Sequence, residues 1–337
     1  MPKSAERWLA RLLWLVSLPL LAFVAWVFIY SFSDIQIQQA PLQFSLKQGS
    51  SLRSAARQLQ AAGALDSPWQ FELLARLSGD AGRIQAGSYE LAGDITPFAL
   101  LRKITSGDHA QEQITFVEGW TLAQMRAAID AHPALKHDTR GIAETEIVTR
   151  FGISHPSAEG LFFPDTYYFA HGSSDISVLR RAYRTMQSQL ETLWGARADG
   201  LPLETPYQAL ILASIVEKET GQPAERAGIA AVFVNRLKLG MMLQTDPTVI
   251  YGLGARFDGN LRKIDLSTDG PYNTYTRAGL PPTPIALPGL AALTATLNPA
   301  PSNALYFVSR GDGTSHFSST LAEHERAVTK YQRRGNN

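Results

Sequence analysis

Residues 12–32, LLWLVSLPLLAFVAWVFIYSF, carry no charge over 21 positions. As a helix this run spans about 31 Å, the thickness of one bilayer core, which makes a membrane span the reading its length favours. Lys3, Arg7 and Arg11 precede it against Glu6, and no Lys or Arg comes after it until Lys47. The positive-inside rule therefore puts the N-terminus (1–11) in the cytoplasm and everything after residue 32 on the far side. Trp14, Trp26 and Tyr30, near the ends of the run, suit interfacial anchoring. The competing reading is a cleaved signal peptide with Ser31 and Ser33 as a small-x-small site. An apolar run beyond the roughly 7 to 15 residues of a usual signal core argues for the span.

Beyond this run the chain has the composition of a folded protein. Of 337 residues 45% are hydrophobic and 18% charged, enough for a substantial core and for two domains. A net charge of +1 with no basic run or basic helix face argues against a nucleic-acid partner. The absence of cysteine excludes disulfides, thiolate metal sites and a cysteine nucleophile. The seven histidines show no HExxH or paired ligand spacing, and no Gly-x-Ser-x-Gly elbow, Walker A loop or dinucleotide fingerprint occurs. No metal and no cofactor is expected.

Residues 33–42 read as a short extended tether. A small module over 43–108 comes next: a strand around Phe44, a Gly49-Ser50-Ser51 turn, an amphipathic helix from Leu52, a second helix from Ser67-Pro68, and a returning strand over 87–91. This strand-helix-helix-strand order with its GSSL turn resembles LysM modules, which bind N-acetylglucosamine-containing glycans; a structural spacer is the other reading. A helix from Thr96-Pro97 closes the module at Gly107.

The remainder, 109–337, reads as a mixed α/β domain. Its most chemical segment is ASIVEKETG at 213–221. Thr205 as N-cap, Pro206 at the first helical position and Gln208 three residues after the cap specify the helix start. Glu217 and Glu219 then fall in the last turn, where the helix dipole and any burial both disfavour a carboxylate and raise its pKa. Two positions apart on a helix, they point about 200° from each other, so they cannot form one paired-carboxylate site. One faces a cleft and the other faces solvent or a neighbouring element; both being surface acids is the alternative. Downstream, Gln244-Thr245-Asp246-Pro247-Thr248 and Pro271-Tyr272-Asn273-Thr274-Tyr275 read as loops rich in groups that hydrogen-bond sugar hydroxyls and acetamides, or that serve turns. A hairpin around Gly311-Asp312-Gly313 and a helix from Leu321 end the chain.

In order, VEGW (117–120), EGLFFPDTYY (159–168), ASIVEKETG, VFVNRLKLGMMLQTDPTVIYGLG (232–254), YNTY (272–275), GLPPTPI (279–285), YFV (306–308) and HF (316–317) resemble the YceG-like family (MltG) of membrane-anchored endolytic murein transglycosylases. The likeness covers about 300 residues, with small departures such as Gly270, Thr283 and Glu325. It implies an α+β fold and a lyase that cuts the β-1,4 bond between N-acetylmuramic acid and N-acetylglucosamine without water, leaving 1,6-anhydro ends. Related lytic transglycosylases carry a Glu-Ser pair, which Glu219-Thr220 matches, so the resemblance selects Glu219 as the catalytic acid. It implies Gln244, Asn273 and Tyr275, and beyond them Glu159 and Asp246, as substrate-binding residues. Peptidoglycan strands as substrate, peptidoglycan synthases as companions, and a single-pass position in a bacterial inner membrane with the catalytic domain outside the cytoplasm complete the expectation. A membrane-tethered glycan-binding protein without turnover, or a hydrolytic muramidase, are the alternatives.

Overall fold

The computed structural model describes residues 3–37, 41–47, 49–107, 111–219 and 221–333. Thr220, half of the Glu-Thr pair, and part of the expected tether lie outside the described residues. The chain forms two compact units, Met1–Glu112 with Tyr168–Gly172, and Gln113–Tyr167 with Ser173–Asn337.

The first unit runs α1 (Lys3–Phe32), β1 (Leu42–Leu46), α2 (Leu52–Ala61), α3 (Pro68–Leu77), β2 (Gly87–Leu91) and α4 (Pro97–Ser106). The strand-helix-helix-strand order is the one read from the sequence, and β1 and β2 pair antiparallel with Phe44 opposite Tyr89. Their stacked rings lie 5.4 Å apart and are buried with Leu59, Phe71, Leu100 and Ile104. The GSS turn is closed by Gln58, whose amide donates to Ser50 Oγ (2.8 Å) and whose Oε1 accepts from the Lys47 N–H (3.0 Å). The expected tether is not a free leash. Ile35 bridges Ile95 and is buried, because an apolar side chain beside an unpaired backbone edge gains both a hydrogen bond and a place in the core. Along α1, Trp14, Leu15, Leu18, Leu21, Phe28 and Ile29 are all exposed. Among the described residues no helix is long and apolar enough to cross a membrane; the side chains described in α1 are those at 14, 15 and 17–32.

The second unit contains β3 (Gln111–Thr115), α5 (Leu122–Ala131), β4 (Leu135–Lys136), α6 (Glu144–Phe151), β5 (Thr166–Ala170), β6 (Ser173–Ser174), α7 (Asp175–Gly195), α8 (Pro206–Glu219), α9 (Arg226–Lys238), α10 (Asp246–Leu253), α11 (Lys263–Ser267), α12 (Leu290–Leu297), β7 (Tyr306–Ser309), β8 (Ser315–Ser318) and α13 (Leu321–Val328), with β3 and β5 crossing the division between the units. Its centre is α8, which packs on α7, α9, α10 and α12. Every residue from Ala209 to Val216 is buried, so α8 is a core helix enclosed on all sides, not an amphipathic one. Its start matches the sequence signal with one change. Thr205 Oγ1 accepts from the Gln208 N–H (3.2 Å), but Gln208 Oε1 reaches the Glu204 N–H (2.7 Å) instead of the cap residue's own. The antiparallel β7–β8 hairpin and α13 pack together, with β7 also against α9.

One expectation about loops is corrected. The stretch 244–248 is half helix: Asp246-Pro247 opens α10, Pro supplying a helical φ where no N–H is needed. The 21-residue α7, with Ser174 as its N-cap, is an element that turn and motif signals did not mark.

Candidate active site

The enclosed core of α8 carries its last turn to the wall of a cleft of about 660 Å³ lined by Glu219, Arg236, Gln244, Asp246, Tyr275, Tyr306 and His324, among others. Glu217 and Glu219 leave the helix in different directions, as the spacing requires. Glu217 Oε2 accepts from the Gly289 N–H (3.0 Å) at the N-cap of α12, and Oε1 lies 3.7 Å from Arg226. Burial raises its pKa, the Gly289 hydrogen bond opposing that rise. A Cβ at Gly289 would meet the Glu118 carboxyl, so a larger residue there would require that exposed, flexible side chain to shift. Lys218, between the two acids, donates to the Gly119 carbonyl (3.2 Å).

Glu219 alone of the two lines the cleft. Its Oε1 accepts a hydrogen bond from the Thr245 hydroxyl. Burial raises its pKa most, the Thr245 hydrogen bond pulls it down, and the neighbouring Asp246 carboxylate pushes it up. An acid whose protonated form persists toward neutrality is suited to donating a proton. Asp246 is engaged by the Tyr275 hydroxyl, which donates to Oδ1 at 2.5 Å. Burial and that carboxylate together push the Tyr275 phenol up, so it remains a donor.

Of the other residues singled out from the sequence, Gln244, Asp246 and Tyr275 meet Glu219 in this cleft. Asn273 stands behind it. Its amide nitrogen donates to the carbonyls of Asp265 (3.2 Å), Leu266 (3.0 Å) and Thr268 (2.7 Å), and its oxygen accepts from the Tyr275 N–H (2.9 Å). That geometry makes it a brace for the loop carrying Tyr275. Glu159 belongs to a second cleft, lined also by Tyr251 and Tyr272. There it accepts from the Leu122 N–H (2.9 Å) and the Tyr251 hydroxyl (3.2 Å), and burial pushes its carboxyl up to about 7.

Motif and spacing do not single out Arg236, yet it shapes the cleft. This residue is 7% exposed, and among the described residues no carboxylate pairs with it. Its Nε donates to the Leu305 carbonyl (2.7 Å), and one terminal nitrogen donates to the carbonyls of Met242 (3.0 Å) and Leu243 (3.0 Å) and to Gln244 Oε1 (3.2 Å). The guanidinium lies 5.0 Å from the Tyr306 ring centroid, and His324 stacks on Tyr306 at 5.1 Å. Arg236 thus ties the irregular segment before α10 to the hairpin side of the cleft. It also holds Gln244 at φ +52°, the one non-glycine residue with positive φ among those described. Such a conformation costs on the order of 1–3 kcal/mol and persists where neighbours over-determine it. In the sequence Arg236 falls within the 232–254 stretch that carries the resemblance and, like Lys238, is a basic residue in the last turn of α9, neither of which marks it for the cleft. Burial and Arg236 lower the His324 pKa, which leaves a neutral imidazole on this wall.

A buried, protonatable carboxyl at a helix end, a hydroxyl donor fixed on it and a wall of amide, phenol and aromatic groups form the class of site suited to general-acid chemistry on a glycan with one well-placed acid. Likeness to known proteins points the same way. The YceG-like family model matches residues 44–330, and the chain belongs to that family. Relatives include the endolytic murein transglycosylase of Bacillus subtilis (strain 168), 33% identical over 310 residues, 86% of this chain and 84% of that protein. The endolytic murein transglycosylase of Streptococcus pneumoniae serotype 2 (strain D39 / NCTC 7466) is 26% identical over 85% of this chain and 57% of its own length. A solved YceG-like protein from Listeria monocytogenes superposes with a TM-score of 0.52 at 26% identity, covering 84% of this chain and 97% of the other.

Proposed function

We propose that this chain is an endolytic lytic transglycosylase of peptidoglycan, a lyase cutting the β-1,4 bond between N-acetylmuramic acid and N-acetylglucosamine, with Glu219 as its acid. The observation that carries this reading is the separation of the two acids: Glu217 is spent on Gly289 and Arg226, while Glu219 faces the cleft under the Thr245 hydroxyl.

In the reaction, protonated Glu219 gives its proton to the glycosidic oxygen as the bond to the muramic C1 breaks. The carboxylate so formed takes the proton of the muramic C6 hydroxyl, whose oxygen closes on C1 of the same sugar. The leaving strand departs with a new hydroxyl, the acid is restored, and no water is consumed. One carboxyl performs both proton transfers, and the intramolecular attack gains the proximity term otherwise supplied by positioning a water. Asp246, held by Tyr275, keeps negative charge beside Glu219, which favours the protonated acid at the start of the cycle. It also places negative charge near the oxocarbenium-like centre. Gln244 and Tyr275 are positioned to bind substrate, and Asn273 supports them through the loop.

Asp246 is also the observation that favours a second reading, a hydrolase in which it activates water. Mass spectrometry of digested strands distinguishes the two: anhydro ends are lighter than hydrolysed ends by one water, about 18 Da. Glu219→Gln should abolish cleavage and retain glycan binding. Hydrolysed ends would refute the transglycosylase chemistry, and loss of cleavage in Glu217→Gln alone would refute the assignment of the acid.

The surroundings extend the reading. The uncharged run 12–32 is a single membrane span with its N-terminus in the cytoplasm, which the exposed apolar side chains of α1 support. The catalytic unit then works outside the cytoplasmic membrane on nascent strands and terminates their elongation, in company with peptidoglycan synthases. The βααβ unit with its Gln58-closed turn is a LysM-like glycan-binding module. Protease protection of residues beyond 32 in sealed, right-side-out vesicles would refute that orientation.

A further inference from the structure

Cutting within a strand requires sugars to be held on both sides of the bond and some way beyond it. The Glu219 cleft and the Glu159 cleft share two pieces of chain. Asp246, in the first turn of α10, lines the former; Ile250, Tyr251 and Gly254 line the latter, whose volume is about 700 Å³. Asp246 and Ile250 are one turn apart on one helix face, while Thr248, on the opposite side, is buried. The 272–275 segment repeats the relation, with Tyr272 in the second cleft and Tyr275 in the first. Between Asp246 and Gly254 the helical rise amounts to about 12 Å, roughly two sugar rings in length.

The lining of the second cleft points to a neutral, hydroxyl-bearing ligand. Tyr251 and Tyr272 meet edge to face at 5.0 Å, and Phe257 adds a third ring. Gly252 allows this arrangement, since a Cβ there would come within 3.0 Å of Tyr272 Cβ. The charged groups are already engaged. Glu144 accepts from the Ser157 hydroxyl (2.5 Å) and the Ala158 N–H (2.8 Å), Arg126 donates to the Ile142 carbonyl (2.6 Å), and Glu159 is held by Leu122 and Tyr251. A metal ion or a strongly charged ligand would have to break these pairs, whereas a sugar can lie against the rings and share hydrogen bonds with their polar tips.

We propose that the Glu159 cleft is a distal subsite for the same glycan strand, reached along the exposed face of α10. The inference rests on the transglycosylase reading, and its test separates the two. In the full chain carrying Glu219→Gln, calorimetric titration with peptide-free glycan oligomers from disaccharide to octasaccharide should show affinity rising with length. Ala255→Trp, at an exposed position on the rim of the cleft, should remove about tenfold of the affinity for the longest oligomer, or about 1.4 kcal/mol, and leave that for the disaccharide unchanged. Phe257→Ala should act in the same direction. Equal affinities in parent and Ala255→Trp chains at every length, or a uniform loss at every length, would overturn the subsite alone. A parent chain that binds no oligomer of any length would overturn the transglycosylase reading as well.

Discussion

Glu159 offers a perturbation whose size is set by its surroundings. Burial holds its carboxyl up to about 7 against an ordinary 4.5, even with the Leu122 N–H and Tyr251 hydroxyl favouring the charged form. Between those two values the native protein keeps a proton that the unfolded chain has released. The associated stability is complete below about pH 4.5, is lost as pH rises through 7, and stays lost above it. At 1.36 kcal/mol for each tenfold change in the proton equilibrium, the difference between the two ends is about 3 kcal/mol. Glu159→Gln keeps the shape and an acceptor for Leu122 but cannot ionise. Measured by urea unfolding, the variant's stability relative to wild type should therefore be about 3 kcal/mol more favourable at pH 8 than at pH 4.5. In a domain of this size that corresponds to a relative shift in melting temperature of about 6–12 °C. A difference between variant and wild type that is the same at both pH values would refute the argument, since Glu159 would then titrate as an ordinary surface acid.

The Glu219 cleft and its supports yield three more expected outcomes. Thr245→Val removes a hydrogen bond that holds the Glu219 pKa down, and Asp246→Asn removes a charge that holds it up. The alkaline limb of kcat/KM should move to higher pH in the first and to lower pH in the second; movement in the same direction would sink the acid assignment. Glu217→Ala should cost about 1–3 kcal/mol in chemical denaturation by orphaning the Gly289 N–H, while the folded fraction still forms anhydro ends. Arg236→Met, leaving three carbonyls unpaired and Gln244 unsupported, should lower kcat by more than about 100-fold in steady-state kinetics, and Arg236→Lys should not restore it, because an ammonium cannot reproduce the planar fork.

The features of this molecule that are legible in its sequence are mostly local. Thr205, Pro206 and Gln208 announce the start of α8, and helical spacing alone separates Glu217 from Glu219, because caps and periodicity depend on residues within one or two turns. Which acid faces the cleft depends on Gly289, some seventy positions away, and on Thr245. The resemblance chose Glu219 through a Glu-Thr pair, whereas the structural case rests on partners distant in sequence. The same limit explains Arg236 and Asn273. Nothing near Arg236 in sequence shows that its guanidinium will meet the carbonyl of Leu305, and Asn273 has the composition of a ligand-binding loop but spends its amide on Asp265, Leu266 and Thr268. Helix α10 was concealed because polar residues around a proline read as a turn when the buried partners of Thr248 and Val249 cannot be seen.

The bridge between Ile35 and Ile95 bears on where such an enzyme could act. Only Ser33 and Asp34 lie between the last residue of α1 and the first residue pinned in the module, about 10 Å of extended chain at most. With α1 in the bilayer, as proposed, the module could not sweep a volume above the membrane in search of a strand. It would patrol a thin layer at fixed height, covering ground by lateral diffusion. Encounters would then depend on how long each strand stays near the lipid surface, and wall polymer that has matured beyond that layer would be spared by geometry without any chemical mark to distinguish it.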